Sequence, residues 1–206
     1  MVSTAKQGKN MEKDTIVPNL KVVIIGGSAG SLDVLLQILP KLNHALSFAI
    51  VIVVHRKEGG DTALEELISM KSILPVAEVE DKSPLLPGFI YIAPANYHLL
   101  FEKNNLLSLD ISEKINYSRP SIDVAFESAA DAYGINVTGI LLSGANADGT
   151  EGLKAIKNLG GTTIVQNPKT AEMPFMPNNA MQYAFPDFVL TIEELLEYIA
   201  SIDSKR

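Results

Sequence analysis

Strongly apolar segments alternate with amphipathic segments along most of the chain. The first apolar segment, residues 20–25, is rich in β-forming residues and is typical of a buried strand. It ends at a glycine-rich stretch, residues 26–30, and an amphipathic pattern follows at once, with leucines on one helical face at positions 32, 35, 36 and 39. This order predicts a strand, a tight turn and a helix in direct succession.

The same alternation continues to the C-terminus. We predict further strands over 48–54, 89–93, 137–142, 162–165 and 188–190, and helices over 62–70, 119–133, 148–159, 178–184 and 192–199. Two short apolar runs, 98–101 and 106–111, flank Asn104 and Asn105 and indicate a β-hairpin, because Asn tolerates positive φ.

Strand–helix alternation of this kind indicates βαβ units. We therefore expect an α/β fold with a doubly wound, mainly parallel sheet, helices on both faces and a small β-hairpin. Residues 20–206 show no internal repeat and are expected to form one domain. Residues 1–19 carry no periodic pattern, so we expect a flexible leader or linker there.

Composition and charge narrow the classes of function. The net charge is −7 and no stretch is basic, so nucleic acid is not expected as a partner. The lack of cysteine excludes disulfides, zinc–thiolate sites and a cysteine nucleophile. The longest apolar run, 48–54, is too short to span a bilayer, and residues 1–19 lack the apolar core of a signal peptide. We expect a cytoplasmic protein with no membrane insertion.

The stretch 26–30 reads GGSAG, a G-x-S-x-G pattern at a strand-to-helix turn. Such a turn exposes the serine hydroxyl at the sheet edge, where the next helix aims free N–H groups at developing negative charge. An ordinary glycine-rich turn and a phosphate-binding loop are the alternatives. A dinucleotide fingerprint fits poorly, because Ser28 occupies its second glycine position and the second strand ends in His55 rather than an acid.

A serine nucleophile needs a base, normally an imidazole, and the chain has three histidines. His44 follows the first helix, at the end of the sheet where strands begin. His98 opens the predicted hairpin. His55 stands at the carboxyl end of the second strand, where the active sites of open α/β sheets gather. His55 is therefore the best candidate, and a plain surface histidine is the alternative.

The third member should be an acid at another carboxyl strand end. The strand predicted over 137–142 is followed by a loop of small residues that contains Asp148. Asp148 either orients His55 or only caps the helix that follows it. Ser143, in the same loop, competes with Ser28 as the nucleophile but lacks the G-x-S-x-G turn.

Six segments, three of which contain Ser28, His55 and Asp148, resemble in sequence and in order the catalytic domain of CheB-type protein-glutamate methylesterases. They are 25–30 (IGGSAG), the histidine after an apolar strand, 86–88 (LPG) with 91–94 (YIAP), 119–123 (RPSID), 142–144 (LSG) with 148–149 (DG), and 166–167 (QN). The resemblance covers about residues 20–199. It implies that Ser28, His55 and Asp148 form the catalytic triad.

Enzymes of this family remove γ-methyl esters from glutamyl side chains on helical receptor segments, and many deamidate particular glutamines. The resemblance therefore implies acyl transfer by Ser28, with His55 carrying the proton and Asp148 steadying His55. It implies an oxyanion site of backbone N–H groups, at Ala29 and Ala145 here, and neither a metal nor an organic cofactor. The implied partners are methylated receptor helices, with a methyltransferase or a separate receiver protein as further candidates.

Four positions depart from the family pattern, and we expect them to affect rate and substrate preference more than the fold. They are Ala29, where a hydroxyl residue is usual; Ser31, in place of the second glycine of a pair; Ala147, in a loop that usually reads Gly-Asn-Asp-Gly; and Phe175, in place of a glycine before Met-Pro. A regulatory receiver domain needs on the order of 100 residues. The leader has 19, so we expect no control by phosphorylation within this chain.

Other assignments have two interpretations each. Arg119 either guides an acidic receptor helix or pairs with a surface carboxylate. Met173, Met176 and Met181 either line the substrate groove or pack in the interior. For the function as a whole, the alternatives are a hydrolase of other esters or amides on the same scaffold, and a non-catalytic module that binds a receptor or a methyltransferase.

Overall fold

The computed structural model describes residues 19–56 and 63–203, and its strands follow the apolar runs of the sequence. The ten strands in this part of the chain are β1 (Lys21–Gly27), β2 (Phe48–Val54), β3 (Val76–Glu78), β4 (Ser83–Pro84), β5 (Ile90–Ile92), β6 (His98–Phe101), β7 (Leu106–Asp110), β8 (Val137–Leu141), β9 (Thr162–Gln166) and β10 (Phe188–Leu190). The α-helices in the same ranges are α1 (Ser31–Ile38), α2 (Ala63–Lys71), α3 (Ile122–Tyr133), α4 (Thr150–Asn158), α5 (Phe175–Tyr183) and α6 (Ile192–Ser201). None of these helices has the length and apolar character needed to cross a bilayer.

Seven strands form one sheet in the order β10-β9-β8-β1-β2-β5-β3. Every neighbouring pair in it is parallel, so the predicted doubly wound α/β fold is confirmed. Strands β4, β7 and β6 form a separate antiparallel sheet. The predicted hairpin is the β6–β7 pair, and Asn105 in its turn has a φ of 61°.

Helices cover both faces of the large sheet, as predicted. On one face, α3, α4, α5 and the small sheet contribute to an apolar cluster that includes Phe126. On the other face, α1, α2 and α6 contribute to a cluster that includes Leu35. Because both faces are covered, all seven residues of β2 are buried, which explains the continuous apolar run over 48–54.

Strand β1 lies where the chain reverses its direction of travel across the sheet. Strands β2, β5 and β3 lie on one side of β1, and β8, β9 and β10 lie on the other. Such a switch point opens a crevice at the carboxyl ends of the strands, and ligands of open α/β sheets bind there. In this chain the crevice brings together Ser28 after β1, His55 after β2 and the loop after β8 that carries Asp148.

Helix α1 buries a different face from the one predicted. The positions buried within the helix are 31, 34, 35 and 38, whereas the predicted face was 32, 35, 36 and 39. Positions 35 and 39 are buried as predicted, but Leu32 and Leu36 are only half-buried. Apolar residues fill two neighbouring stripes of this helix, so the periodicity alone could not choose between them.

A few element boundaries also differ from the prediction. Strands β3 and β4 are absent from it, because three and two residues are too short for a period-2 signal. Helix α5 begins at Phe175, since a proline in the first turn, Pro177, does not break a helix. Residues 1–18 of the predicted leader, and Thr62 of the predicted second helix, lie outside the described residues.

Phe126 belongs to the apolar cluster between the large sheet and α3, and it is 0% exposed. We predict that Phe126→Ala lowers the free energy of unfolding by about 3–5 kcal/mol, because it removes buried apolar area and leaves a cavity. Phe185 is 70% exposed, so Phe185→Ala is the matched control and should cost less than about 0.5 kcal/mol. Urea unfolding followed by circular dichroism measures both variants. Equal losses in the two would contradict this packing.

Candidate active site

Ser28 stands directly after β1, in a tight turn that precedes α1. The Ser31 N–H donates to the Ser28 carbonyl at 3.0 Å, which closes the turn. Gly30 has φ 79° and ψ −5°, the conformation required at the third position of a type II turn. A Cβ at Gly30 would also lie 2.6 Å from the Cβ of Glu172, so glycine is needed for space as well as for conformation. The predicted strand–turn–helix context of Ser28 is confirmed.

His55 directly follows β2 and lies beside the Ser28 turn. The backbone N–H of His55 donates to the Gly27 carbonyl at 3.2 Å, and Gly27 pairs with Val54 in the sheet. Ser28 and His55 are therefore the next residues along two neighbouring strands, and both line one cavity of about 280 Å³. Among the described residues, no hydrogen bond joins the Ser28 hydroxyl to the His55 ring, although both groups line this cavity.

The structure brings His55 together with Asp148, as expected from the sequence. The distance between His55 Nε2 and Asp148 Oδ2 is 2.8 Å. The Asp148 side chain is fully buried, whereas the His55 ring is 13% exposed. The pair therefore has an inner carboxylate, shielded from water, and an outer imidazole that a substrate can reach.

Three backbone N–H groups hold the Asp148 carboxylate in place. Those of Ile122 and Asp123, in the first turn of α3, donate at 2.8 and 3.0 Å, and that of Gly149 donates at 3.1 Å. The first N–H groups of a helix lack partners within the helix and attract negative charge. Asp148 therefore lies at the N-terminus of α3. The alternative, that Asp148 only caps the following helix, is wrong, because the N-cap residue of α4 is Gly149 and no side chain caps that helix.

Two further side chains donate to Asp148. The Ser121 hydroxyl donates at 3.0 Å and the Asn116 amide at 3.3 Å. His98 supports this arrangement, because its Nδ1 accepts the Ser121 N–H at 3.2 Å while its Nε2 donates to the Glu113 carbonyl at 2.9 Å. His98 is fully buried, so it is a structural residue and not a rival base.

These contacts determine the charge of Asp148 and the proton position on His55. Burial alone would raise the pKa of the Asp148 carboxyl, but hydrogen bonds from His55 and from the Ile122 and Asp123 N–H groups outweigh it and hold the pKa well below its ordinary value. An ionised carboxylate only accepts hydrogen bonds, so Nε2 of His55 must carry a proton. The Nδ1 atom is then the ring nitrogen that can accept one.

A second buried carboxyl, that of Asp123, lies next to Asp148. The pKa of Asp123 is raised to about 7, mainly by burial. A hydrogen bond of 2.8 Å from the Gly152 N–H lowers this pKa, and the negative charge of Asp148 raises it further. The Asn116 amide joins the two carboxyls, because it also donates to Asp123 at 3.0 Å. Within residues 19–56 and 63–203, no group of three or more His, Asp or Glu side chains is arranged to hold a metal ion.

Two backbone N–H groups near Ser28 lack a protein acceptor among the described residues. They are the N–H groups of Ala29 and Ala145, and both residues are exposed. The Ser28 N–H donates to the Ser143 carbonyl at 2.9 Å, which places the Ser28 turn against the loop that carries Ala145. Free N–H groups in such a position can bind an oxyanion.

Ser143 is not available as a nucleophile in this structure. It is 0% exposed, its hydroxyl donates to the Ala29 carbonyl at 2.7 Å, and it accepts from the Met173 N–H at 2.9 Å. The first bond ties the Ser28 turn to the loop after β8 and the second ties that loop to the segment before α5, so the role of Ser143 is structural. His44 is exposed in the loop before β2, at the far end of the sheet, as predicted.

Two residues predicted to bind substrate have structural roles. The Arg119 guanidinium donates to the carbonyls of Ile111 and Ser112 at 2.9 and 2.6 Å and has no ion pair within the described part of the chain, so the alternative that it pairs with a surface carboxylate is wrong. The guiding of a receptor helix by Arg119 stays a prediction.

Met176 is fully buried against Gly144, so its side chain packs in the interior, and the prediction that Met176 lines the groove is wrong.

Sequence reasoning missed the side chains that support Asp148. Asn116 lies in a loop without periodic pattern, and its hydrogen bonds to Asp148 and Asp123 depend on contacts between elements. Ser121 did give a signal, because it lies at the start of the helix predicted over 119–133 and serine is a typical N-cap; the helix begins at Ile122, and the Ser121 hydroxyl does accept the Val124 N–H. The second bond of that hydroxyl, to Asp148, has no local signature.

Comparisons with known proteins find similar sequences and a similar fold. A protein-family model described as CheB methylesterase matches residues 23–199. A curated relative from Leptospira interrogans is 40% identical over 185 residues, which is 90% of this chain and 96% of that protein. The family model therefore covers the whole of the seven-stranded sheet except the first two residues of β1.

Two other relatives and one solved structure extend the comparison. Proteins from Hydrogenovibrio crunogenus and Thermotoga maritima, both named protein-glutamate methylesterase/protein-glutamine glutaminase, are 32% and 34% identical over 96% and 88% of this chain. This chain spans 53% and 54% of their lengths. The crystal structure of the Thermotoga maritima CheB methylesterase catalytic domain matches with a TM-score of 0.86 at 33% identity, over 90% of this chain and 100% of that one.

The raised pKa of Asp123 makes the stability of the protein depend on pH. Its pKa is about 7 in the folded state against an ordinary value of 3.8, so the contribution of Asp123 to stability is greatest below pH 3.8 and is lost as the pH rises from there through 7. Asp123→Asn keeps the shape of the side chain without its charge. We predict that the advantage of this variant over the wild type in urea unfolding is about 2–3 kcal/mol larger at pH 8 than at pH 5.

Asp131→Asn is the matched control for this measurement, because Asp131 lies on the same helix and is exposed. Because this side chain is exposed, substituting it should change the stability difference from the wild type between the two pH values by much less than Asp123→Asn does. An equal gap for Asp123→Asn at pH 5 and pH 8 would contradict the raised pKa.

Proposed function

Because the chain belongs to the CheB methylesterase family, we propose that it removes γ-methyl esters from glutamyl side chains of chemoreceptor-type proteins through an acyl-enzyme at Ser28. The observation that carries this proposal is the 2.8 Å contact between His55 and the buried Asp148, beside the Ser28 turn. Such a pair can make a nearby hydroxyl nucleophilic at neutral pH. Residues 20–206 act as the catalytic domain in this proposal.

The first half of the reaction forms the acyl-enzyme. The Ser28 hydroxyl rotates about χ1 toward His55 Nδ1, which takes its proton as the oxygen attacks the ester carbonyl. Asp148 keeps Nε2 protonated and stabilises the positive charge that the ring acquires. The N–H groups of Ala29 and Ala145 bind the oxygen of the tetrahedral intermediate, where negative charge develops.

The second half releases the product. The intermediate collapses, methanol leaves with the proton from His55, and the glutamyl side chain remains esterified to Ser28. Water then attacks this ester while His55 accepts its proton, and His55 passes that proton to the departing Ser28 oxygen, which releases the glutamate and restores the free hydroxyl. A glutamine side chain follows the same route with ammonia as the leaving group. Every group in these steps belongs to the chain, the substrate or water.

The proposed substrate is a methylated receptor helix, and the proposed location is the cytoplasm. Ala29, within the Ser28 turn, and Ala145, in the loop after β8, are both exposed, so a glutamyl side chain carried on a protein surface can approach the hydroxyl. A separate receiver protein and a methyltransferase are the further partners in this proposal. The names of the Hydrogenovibrio and Thermotoga relatives support the substrate class.

A hydrolase of other esters or amides on the same scaffold is the second candidate. Phe175 favours it, because this ring replaces a glycine common in the family and is 55% exposed at the start of α5. The segment before it contacts the site through the Met173 carbonyl, which accepts the Gly144 N–H at 3.0 Å. A bulky ring there can exclude some acyl groups. A non-catalytic binding module is disfavoured, because binding alone does not need the pair of His55 and Asp148.

A fluorophosphonate probe, which reacts covalently with activated serines, tests the nucleophile. We predict that the wild type is labelled and that Ser28→Ala loses labelling by about 10³-fold or more, because the attacking oxygen is gone. Ser143→Ala is the control, since it removes the rival hydroxyl and should still be labelled. Labelling of Ser28→Ala at the wild-type rate would contradict the proposal.

Methanol release from a methylated receptor fragment then identifies the substrate class. We expect the wild type to release methanol and Ser28→Ala to release none. Labelling of the wild type without methanol release would favour the second candidate instead.

A further inference from the structure

Ser31 stands where the family commonly has glycine, and its hydroxyl is bonded inside the Ser28 turn. The Ser31 Oγ donates to the Ser28 carbonyl at 2.6 Å, alongside the Ser31 N–H at 3.0 Å. Ser31 is 1% exposed, so water cannot compete for this carbonyl from its side. One residue therefore supplies two donors to a single carbonyl at the nucleophile.

This carbonyl belongs to the same peptide group as the Ala29 N–H. A peptide group is planar and trans, so its C=O and its N–H point in opposite directions. Because the Ser28 carbonyl is held toward α1, the Ala29 N–H must point away from the helix, and it has no acceptor among the described residues. Hydrogen bonds accepted by the carbonyl also polarise the peptide group, which makes the N–H a stronger donor.

The second candidate donor of the oxyanion site is oriented in the same way. The Gly144 carbonyl, which shares a peptide group with the Ala145 N–H, accepts the Met176 N–H at 2.9 Å. Here the orienting donor is a backbone group, which a side-chain substitution leaves in place. At Ala29 the orienting donor includes the hydroxyl of Ser31, which a substitution can remove.

We propose that Ser31 is a positioning residue of the oxyanion site. Its hydroxyl orients the Ser28–Ala29 peptide group so that the Ala29 N–H meets the oxygen of the tetrahedral intermediate. This inference rests on the proposed function and adds a role for a residue that departs from the family pattern. The preceding strand end makes room for it, because a Cβ at Gly27 would lie 2.5 Å from the Cβ of Ser31.

Helix α6 offers a matched control for a purely structural role. The Ser201 Oγ donates to the Tyr198 carbonyl at 2.7 Å, with the same three-residue spacing as between Ser31 and Ser28. Ser201 lies next to Ile202, whose carbonyl contacts Lys21 at the start of β1, the end of the sheet opposite to the active site. Substitution by alanine removes the same kind of hydrogen bond in both places.

The test compares Ser31→Ala, Ser31→Gly and Ser201→Ala with the wild type in full-length protein. We measure the rate of fluorophosphonate labelling and the affinity for an alkyl boronic acid, which adds the Ser28 oxygen to form a tetrahedral anion. Loss of an oxyanion donor costs about 10²–10³-fold in rate, so a donor that is kept but poorly oriented should cost about 3- to 10-fold. Both Ser31 variants should lose this factor in rate and in boronate affinity.

Two further readouts separate orientation from general damage. The pH profile of labelling, which reports on His55, should keep its shape in the Ser31 variants, and Ser201→Ala should keep wild-type rates. Thermal unfolding checks that each variant is folded. If Ser31→Ala does not fold, Ser31→Gly, which carries the residue common in the family, gives the result.

The outcomes distinguish this inference from the function on which it rests. Wild-type labelling rates and boronate affinity in a folded Ser31 variant would overturn the role of Ser31 and leave the proposed function intact. An inert wild type would overturn both. Equal slowing in Ser201→Ala would attribute the effect to stability and would also overturn the role of Ser31.

Discussion

The buried carboxylate of Asp148 is the constraint on which the rest of the site depends. Removing a carboxylate from water costs several kcal/mol unless hydrogen bonds replace its hydration. Asp148 has six donors within 3.3 Å, from the end of β2, the loop before α3, the first turn of α3 and its own loop after β8. The same negative charge therefore holds three distant segments together and fixes the His55 ring beside Ser28.

Much of this arrangement could be predicted from the sequence, because a parallel sheet gathers the carboxyl ends of its strands at one edge. The bounds of β2 were predicted to the residue, since its apolar run is continuous. Ser28, His55 and Asp148 followed from asking which reactive groups stand at such ends. The contacts of Asn116 could not be predicted, because they form between elements, and the same holds for the buried face of α1, where apolar residues occupy two stripes.

The departures from the family pattern acquire physical meaning once the backbone is considered. In the proposed mechanism, the groups of Ala29 and Ala145 that face the reaction are main-chain N–H groups, so the replacement of a hydroxyl residue by Ala29 matters little to the proposed oxyanion site. What matters is how each peptide group is held, by Ser31 in one case and by the Met176 N–H in the other. A change of side chain next to the nucleophile is thus compatible with an intact mechanism.

The most direct test of this account is the position of the proton on the neutral His55 ring, read from the 15N chemical shifts of histidine-labelled protein. A His55→Gln variant assigns the signal among the three histidines. We predict a proton on Nε2, facing the ionised Asp148, with Nδ1 unprotonated and free to accept from Ser28. A neutral ring with its proton on Nδ1 would contradict it.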